Sequence, residues 1–295
     1  MQFWIVIGLI AAMFYAVNHI LHKKASEKVS PEYLVYSVML LTGIISLPFI
    51  IIFKDYIVLP PQILWTYLLT GIILATGLIL FTKSLQHAQI GKTVPLMAIS
   101  PVVTMIFALI FLKEIPDTKG FIGIMMVVLG VYALKIDHFG KSHVLEPIIN
   151  ILKNRGSRYM LMASILYGIN SVIEKYVIIQ TNVFTRVVIY SYFVILIMTV
   201  YLIVMDGKQF KRKVANAFKK DRLWIALFTI GFAGEVIFTA VGLKLNLAAY
   251  AVSIKRVGII GSVIFAHYML NEKKHFLHHL LGAAMLVAGA MLIAM

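Results

Sequence analysis

The sequence FYAVN at residues 14–18 is matched by LYGIN at residues 166–170, about 150 positions further along the chain. Both sequences lie inside long apolar segments, and both contain a tyrosine followed three residues later by an asparagine. With the same offset, Lys23 falls on Lys175. Self-similarity at a constant offset is the signature of an internal repeat. The chain is therefore predicted to contain two related halves.

A second match supports the same division of the chain. FLKE at residues 111–114 corresponds to MLNE at residues 269–272, and each precedes an apolar segment with two glycines seven positions apart. Those glycines are Gly123 and Gly130 in the first half and Gly282 and Gly289 in the second. Residues seven apart lie on one helix face, so paired glycines favour close helix packing. Because Glu114 and Glu272 recur in both halves, we predict a structural role at a turn for them and not a proton-binding one.

The composition is that of a membrane protein. Of the 295 residues, 61% are hydrophobic and 13% are charged, and the mean hydropathy is +0.94, whereas soluble domains are about half apolar and a quarter charged. The formal net charge is +15. The basic residues lie in short loops beside apolar segments, so we expect lipid headgroups and not nucleic acid as their partners. The chain has no cysteine, which excludes disulfides and thiolate sites.

Ten apolar segments are long enough to cross about 30 Å of hydrocarbon. They fall near Phe3–Leu21, Tyr33–Phe53, Ile63–Lys83, Thr93–Leu112, Gly120–Lys135, Tyr159–Ile179, Phe184–Met205, Leu223–Leu243, Ala249–Leu270 and Phe276–Ala294. The predicted fold class is an all-α integral membrane protein with ten transmembrane helices, in one membrane domain. Residues 1–137 form the first repeat and 159–295 the second, joined by a loop, 138–158, whose Val144–Leu152 segment is suited to a short interfacial helix. Because five is odd, the second half enters the membrane in the opposite sense, which gives an inverted repeat.

The repeat, the Tyr-x-x-Asn motif of spans one and six, the Leu-x-Glu that closes spans four and nine, and the paired glycines together resemble the EamA branch of the drug/metabolite transporter (DMT) superfamily. The resemblance covers nearly the whole chain. It implies a basket of ten helices around a central cavity, lined by spans one, three, four, six, eight and nine, with spans five and ten at the periphery. It also implies transport of a solute that family membership does not specify, since the family's substrates range over amino acids, sugars, nucleotide sugars and drugs.

Two arguments about orientation disagree. In such relatives both termini are usually cytoplasmic, which would place the first, fifth and seventh loops outside. Those three loops carry many lysines and arginines, whereas the second and eighth loops offer only Lys54 and Lys244. The positive-inside rule makes the basic loops cytoplasmic and puts both termini outside. Both orientations stay open, with the charge bias favouring the second.

Polar side chains recur along one face of spans one and six. They are Tyr15, Asn18, His19 and His22 on span one, and Tyr167, Asn170, Ser171 and Glu174 on span six. Their spacing of three, four and seven residues places them on one side of each helix. In lipid such a stripe must face protein or water, so we predict that the two stripes form walls of a solute cavity. The alternative is hydrogen bonding between helices without any ligand.

Span eight contains Glu235, and span nine contains Lys255 and Arg256. Counted from the short loop that joins these spans, Glu235 and Arg256 lie at similar depths of roughly 12 to 14 Å, close to one another. The matching positions of the first half carry no charge: Gly77, Met97 and Ala98. We therefore predict that Arg256 and Lys255 bind an anionic group, with Glu235 as a resting partner or a proton acceptor. The alternative is a structural ion pair between the two helices.

Two further groups have plainer interpretations. The turn between spans three and four carries Lys83, His87 and Lys92. We interpret these as side chains at helix ends whose charged groups extend to the membrane interface. Near the C-terminus, His275, His278 and His279 have a spacing that is suited to a metal ion. Because no acidic or cysteine ligand accompanies these histidines, no metal is expected.

The leading hypothesis is a secondary active transporter that moves a small polar metabolite, an amino acid or another anionic or zwitterionic solute, by alternating access around a midplane cavity. The candidate substrate-binding residues are Tyr15, Asn18, His19, Tyr167, Asn170, Glu235, Lys255 and Arg256, with Glu235 also the candidate for ion coupling. One alternative is an exporter of cationic drugs; small members of the superfamily use a glutamate in the first helix, where this chain has Asn18 and His19. Others are a flippase for a phosphate-bearing lipid, and a receptor that transports nothing.

An enzymatic function is not expected, because no catalytic motif occurs in the sequence. No cofactor is expected either. The expected partners are a small-molecule solute, membrane lipids and protons as a coupling ion. We expect a monomer or homodimer in the cytoplasmic membrane of a bacterium or archaeon.

Overall fold

The computed structural model describes residues 3–133 and 153–272, together with residues 280, 284–285, 288–289 and 292. Every element within the two long ranges is a helix. The α-helices are α1 (Phe3–Ser26), α2 (Pro31–Ile52), α3 (Leu64–His87), α4 (Ile90–Thr93), α5 (Ser100–Phe111), α6 (Thr118–Ala133), α7 (Arg155–Gln180), α8 (Val183–Asp206), α9 (Phe210–Leu245), α10 (Ala248–Arg256) and α11 (Gly258–Met269). Most of the predicted span Phe276–Ala294 lies outside the described residues, and so do the histidines at 275, 278 and 279 and the segment Val144–Leu152.

Local sequence signals explain where several helices begin and bend. Pro31 occupies the first turn of α2, where its missing N–H costs nothing. The side chains of Asn154 and Asn182 accept hydrogen bonds from backbone N–H groups three residues on, and so cap α7 and α8. Asp221 has a non-helical conformation inside α9. It separates a basic first segment of α9 from the apolar part that follows.

Seven stretches within the described ranges are long and apolar enough to cross a membrane. The longest, residues 183–245, contains both α8 and α9, which the sequence assigned to separate spans. The described part of α6 has 16 residues. The integral, multi-pass membrane character is confirmed, and the number of ten transmembrane helices stays a prediction.

Predicted span four is interrupted in its first third and predicted span nine near its centre, and neither interruption was predicted from the sequence. Between α4 and α5 the chain forms a 3₁₀ helix, Val94–Ile99. Pro95 and Pro101 favour this interruption because proline removes a backbone donor. Between α10 and α11, Val257 donates to the carbonyl of Ile254 at 3.0 Å, which is again a 3₁₀ pattern.

The two halves interleave instead of packing as separate bundles. The helix α1 packs against α9 and α11, and the matching helix α7 packs against α3 and α5. Between the halves, α2 packs against α8. Two glycines permit the closest approaches: a Cβ at Gly168 would lie 2.8 Å from the carbonyl oxygen of Ser100, and one at Gly258 would clash with that of Ala12. The walls of the interior are therefore shared by both halves.

Glu114 and Glu272 make corresponding contacts across the halves. Both carboxylate oxygens of Glu272 accept backbone hydrogen bonds at the start of α4, from Ile90 at 2.9 Å and Gly91 at 3.0 Å. Glu114 accepts from the backbone N–H of Ala248 at the start of α10, at 2.7 Å, and also pairs with Lys175. Carboxylates stabilise helix N-termini because the first N–H groups there lack partners. These contacts agree with a structural role for both glutamates.

The exterior and interior have opposite character, as expected for a protein in lipid. Large apolar side chains are exposed on α2, α3, α5, α8 and α9, among them Ile51, Ile72, Ile110, Val204 and Ile230. Many polar side chains are buried instead. This arrangement puts the hydrogen-bonding groups around the centre of the molecule.

Candidate functional site

The polar stripes meet at a cavity between α1, α3, α7, α9 and α10. The cavity holds about 750 Å³ of space between atoms, its open mouth included. All eight predicted residues line it: Tyr15, Asn18, His19, Tyr167, Asn170, Glu235, Lys255 and Arg256. The structure therefore brings these residues together at one place, while their binding of a solute stays a prediction.

The cavity lies at the middle of the membrane-spanning helices. Tyr15 is near the midpoint of α1, which has 24 residues, and Tyr167 is near the midpoint of α7, which has 26. Helices of that size are about 36 and 39 Å long, which exceeds the hydrocarbon thickness of about 30 Å. A solute between the two tyrosines would therefore be far from both membrane surfaces.

Arg256 is a buried cation whose partner is a neutral hydroxyl. It is 5% exposed; its Nε and Nη2 donate to Ser100 Oγ at 2.9 and 2.7 Å. Its guanidinium lies 4.8 Å from the centre of the Tyr15 ring. Ser100, at the start of α5, donates in turn to the carbonyl of Met97 in the 3₁₀ segment, at 2.9 Å. Among the ion pairs of the described residues, none includes Arg256.

Glu235 pairs with Lys255 and not with Arg256, the resting partner that the sequence suggested. The Lys255 Nζ is 3.4 Å from Glu235 Oε1, and Asn18 Nδ2 donates to Glu235 Oε2 at 3.0 Å. Neighbouring side chains on a helix point about 100° apart, and here Lys255 contacts Glu235 whereas Arg256 contacts Ser100. The pairing thus satisfies Lys255 and leaves Arg256 without a carboxylate.

A second charged pair lines the cavity; its glutamate was predicted from the sequence and its arginine was not. Arg186 of α8 pairs with Glu174 of α7, and Asn170 Nδ2 donates to Glu174 Oε1 at 2.7 Å. The Arg186 guanidinium lies 4.5 Å from the centre of the Tyr190 ring. Arg186 stands three residues after the start of α8, where a basic residue is ordinarily assigned to the membrane surface. The signal available in the sequence was the glutamate twelve residues earlier, also inside an apolar segment.

The end of the cavity opposite Arg186 and Glu174 is lined by aromatic rings. His22 contacts Thr82 Oγ1 at 2.7 Å, and its ring stacks on Phe81 and Phe228, with centroids 5.1 and 4.2 Å apart. His19 contacts Ser262 Oγ at 2.7 Å. Both histidines are therefore held by hydroxyl groups of neighbouring helices.

Several polar atoms that line the cavity have no hydrogen-bond partner among the described residues. They are Tyr15 Oη, Asn18 Oδ1, Asn170 Oδ1, Thr239 Oγ1, and Nε and Nη1 of Arg186. Buried polar atoms without partners are rare in native proteins, since each costs about 1 to 3 kcal/mol. The surface of the cavity is therefore suited to a polar ligand or to ordered water.

The remaining polar candidates have contacts away from the cavity. Lys83 pairs with Glu32 at 2.9 Å, and His87 Nδ1 lies 2.8 Å from the carbonyl oxygen of Lys83. Within residues 3–133 and 153–272, no group of three or more metal-ligating side chains is close enough to hold a metal ion.

Comparisons with known proteins agree with this picture. Fold and cavity define an integral, multi-pass membrane protein with a polar interior. Residues 2–135 match the EamA-like transporter family, which confirms the predicted resemblance to EamA-type DMT transporters. The family points to membrane transport as the general function.

A relative in Methanocaldococcus jannaschii, described as an uncharacterized protein, is 28% identical over 134 residues. Those residues are 45% of this chain and 97% of the relative, so the relative is about half as long as this chain. A crystal structure described only as that of a protein superposes with a TM-score of 0.65 at 13% identity, covering 98% of this chain and 95% of its own. At that identity the similarity concerns the fold alone.

Proposed function

We propose that this protein is a secondary active transporter that binds a small anionic or zwitterionic solute in the midplane cavity and alternates access to the two sides of the membrane. Arg256 binds the anionic group, and Lys255 completes a positive wall. The tyrosine and asparagine pairs of α1 and α7, with His19, donate and accept the remaining hydrogen bonds. The observation that carries this proposal is a buried Arg256 that takes part in no ion pair of the described residues and donates to the neutral hydroxyl of Ser100.

The charges of the cavity favour an anion. Its described charged side chains are Glu174, Glu235, Arg186, Lys255 and Arg256. Two carboxylates face three cations, so one formal positive charge lacks a counterion. A buried charge without a counterion is unfavourable, and an anionic solute supplies that counterion. Both carboxylates are already engaged, which argues against a cationic drug as the substrate.

The repeat supplies a mechanism for alternating access. We take residues 1–137 and 159–295 as inverted repeats of five spans each, an arrangement in which one half rocks against the other around a fixed site. The reciprocal contacts of Glu114 and Glu272, and a relative about half as long as this chain, support that division. The protein would act as a monomer or homodimer in the cytoplasmic membrane of a bacterium or archaeon.

The test is solute counterflow in proteoliposomes. Liposomes with purified protein are loaded in turn with L-glutamate, L-serine, glycerol 3-phosphate, uridine monophosphate or tetraphenylphosphonium, and exchange with the labelled compound outside is measured. We expect exchange of an anionic or zwitterionic compound, and its loss in Arg256→Ala but not in Arg158→Ala, which removes an exposed arginine. Exchange of tetraphenylphosphonium alone, or exchange that Arg256→Ala leaves intact, would contradict the proposal.

A further inference from the structure

The pair of Arg186 and Glu174 lies off the midplane, on the way to one membrane surface. Glu174 follows Tyr167 by seven residues in α7, which is about 10 Å along the helix axis. Arg186 lies near the first turn of α8, beside the end of α7. Both side chains line the same cavity as Arg256. The cavity therefore extends from the midplane toward the surface where α7 ends and α8 begins.

Arg186 has hydrogen-bonding capacity that its surroundings do not use. The side chain is 3% exposed, and its Nη2 serves Glu174. Its Nε and Nη1 have no partner among the described residues, and neither do Tyr190 Oη or Asn170 Oδ1 beside the pair. Two donors of the arginine itself and two polar atoms beside the pair are thus unsatisfied. An ion pair that existed only to join α7 and α8 would not need two open donors on its arginine.

The first half has no equivalent of this pair. His22 occupies the place in α1 that Glu174 has in α7, and it is enclosed by aromatic rings and Thr82. The charges therefore mark one end of the cavity only. A feature absent from one repeat is not required to build the repeat.

From these observations we infer that Arg186 is a second oxyanion-binding position, at which a carboxylate or phosphate of the solute meets Nε and Nη1 on its way to or from Arg256, with Glu174 as the ligand that holds Arg186 in the empty protein. This inference rests on the proposed function, because it assigns a further step of the same solute path. Planar guanidinium groups recognise carboxylate and phosphate through paired N–H donors. Glu174 then competes with the incoming anion for the same cation.

The test measures anion binding to purified protein by titration calorimetry, with inorganic phosphate and succinate as probes in chloride buffer of matched ionic strength. We expect Arg186→Gln to weaken binding of at least one probe about tenfold, the typical effect of losing a charge-assisted hydrogen bond. We expect Glu174→Gln to strengthen it, because the competitor is lost. A purely structural ion pair predicts no strengthening. The control is Arg158→Gln, which changes an exposed arginine.

Further variants separate the possible failures. Because Arg186→Gln alone leaves Glu174 buried without its partner, the double variant Arg186→Gln/Glu174→Gln keeps the site neutral; it too is expected to bind weakly. In Arg256→Ala, any remaining anion binding should depend on Arg186. Binding that Arg256→Ala abolishes, and that the Arg186 and Glu174 variants leave unchanged, would overturn the second position alone. Absence of binding to the unmodified protein would overturn this inference and the anionic substrate of the proposed function together.

Discussion

Arg256 of α10 donates two hydrogen bonds to the hydroxyl of Ser100 in α5, at 2.9 and 2.7 Å. The contact joins the interrupted span of one half to the interrupted span of the other, 156 positions apart in sequence. Ser100 is the first residue of α5 and directly follows the 3₁₀ segment Val94–Ile99. A hydroxyl satisfies part of the guanidinium and leaves its charge available to a solute.

Ser100→Ala is expected to lower the free energy of unfolding by about 1 to 3 kcal/mol, since it leaves buried donors of Arg256 without an acceptor. Thermal unfolding of the purified protein measures this loss. The matched control is Ser253→Ala, also fully buried, whose hydroxyl bonds only to the carbonyl of Ala249 in its own helix. Equal destabilisation by both variants would show that the hydrogen bonds from Arg256 contribute no additional stability.

Glu235 and Lys255 are expected to be coupled in a double-mutant cycle. Glu235→Gln and Lys255→Met should each destabilise the protein, because each leaves a largely buried charge unpaired. The double variant should be more stable than the sum of the two effects implies, by about 0.5 to 3 kcal/mol. Chemical unfolding of the four proteins gives the coupling energy. Strict additivity would contradict the pairing.

Proton coupling through Glu235 has its own test. If this carboxylate carries a coupled proton, Glu235→Gln should flatten the pH dependence of solute exchange, because the amide does not titrate. The profile is recorded in proteoliposomes for both proteins between pH 5 and 8, roughly the range of physiological proton gradients. Unchanged pH dependence in the variant would remove Glu235 from the coupling mechanism.

The corresponding contacts of Glu114 and Glu272 predict a loss of stability in both halves when either carboxylate is removed. Glu114→Gln and Glu272→Gln should each reduce stability by at least about 1 kcal/mol, because each weakens an anionic contact with a helix N-terminus. The loss should be larger for Glu114→Gln, which also leaves buried Lys175 without its carboxylate. Glu27→Gln is the control, since Glu27 is exposed and its ion pair with Lys24 is at the surface. Thermal unfolding measures all three variants. Destabilisation in one half only would weaken the case for a functional repeat.

The residues that line the cavity could be predicted from the sequence, because the membrane allows few positions for a polar side chain. A polar side chain inside an apolar span must face the interior, and the eight predicted residues accordingly line one cavity. The repeat of FYAVN and LYGIN likewise indicated which helices carry the tyrosines. These inferences needed only periodicity and position along a span.

Partner choice was not predictable in the same way. Whether Glu235 meets Lys255 or Arg256 depends on a rotation of about 100° about α10, which counting residues from a loop cannot resolve. Arg186 was not predicted as a cavity residue, because its depth in the membrane depends on where α8 begins relative to the membrane surface. The contact of Arg256 with Ser100 joins residues 156 positions apart and lies beside a 3₁₀ interruption, for which Pro95 and Pro101 were the available signals.

The most direct test of the anionic site is the shift in melting temperature of the purified protein with saturating anionic, zwitterionic, neutral and cationic solutes. A ligand that binds only the folded state stabilises it by mass action, by about 2.7 kcal/mol at one hundred times its dissociation constant. We predict stabilisation by a solute with a carboxylate or phosphate, lost in Arg256→Ala and retained in Arg158→Ala. Stabilisation by a cationic solute only, or an undiminished shift in Arg256→Ala, would contradict the account.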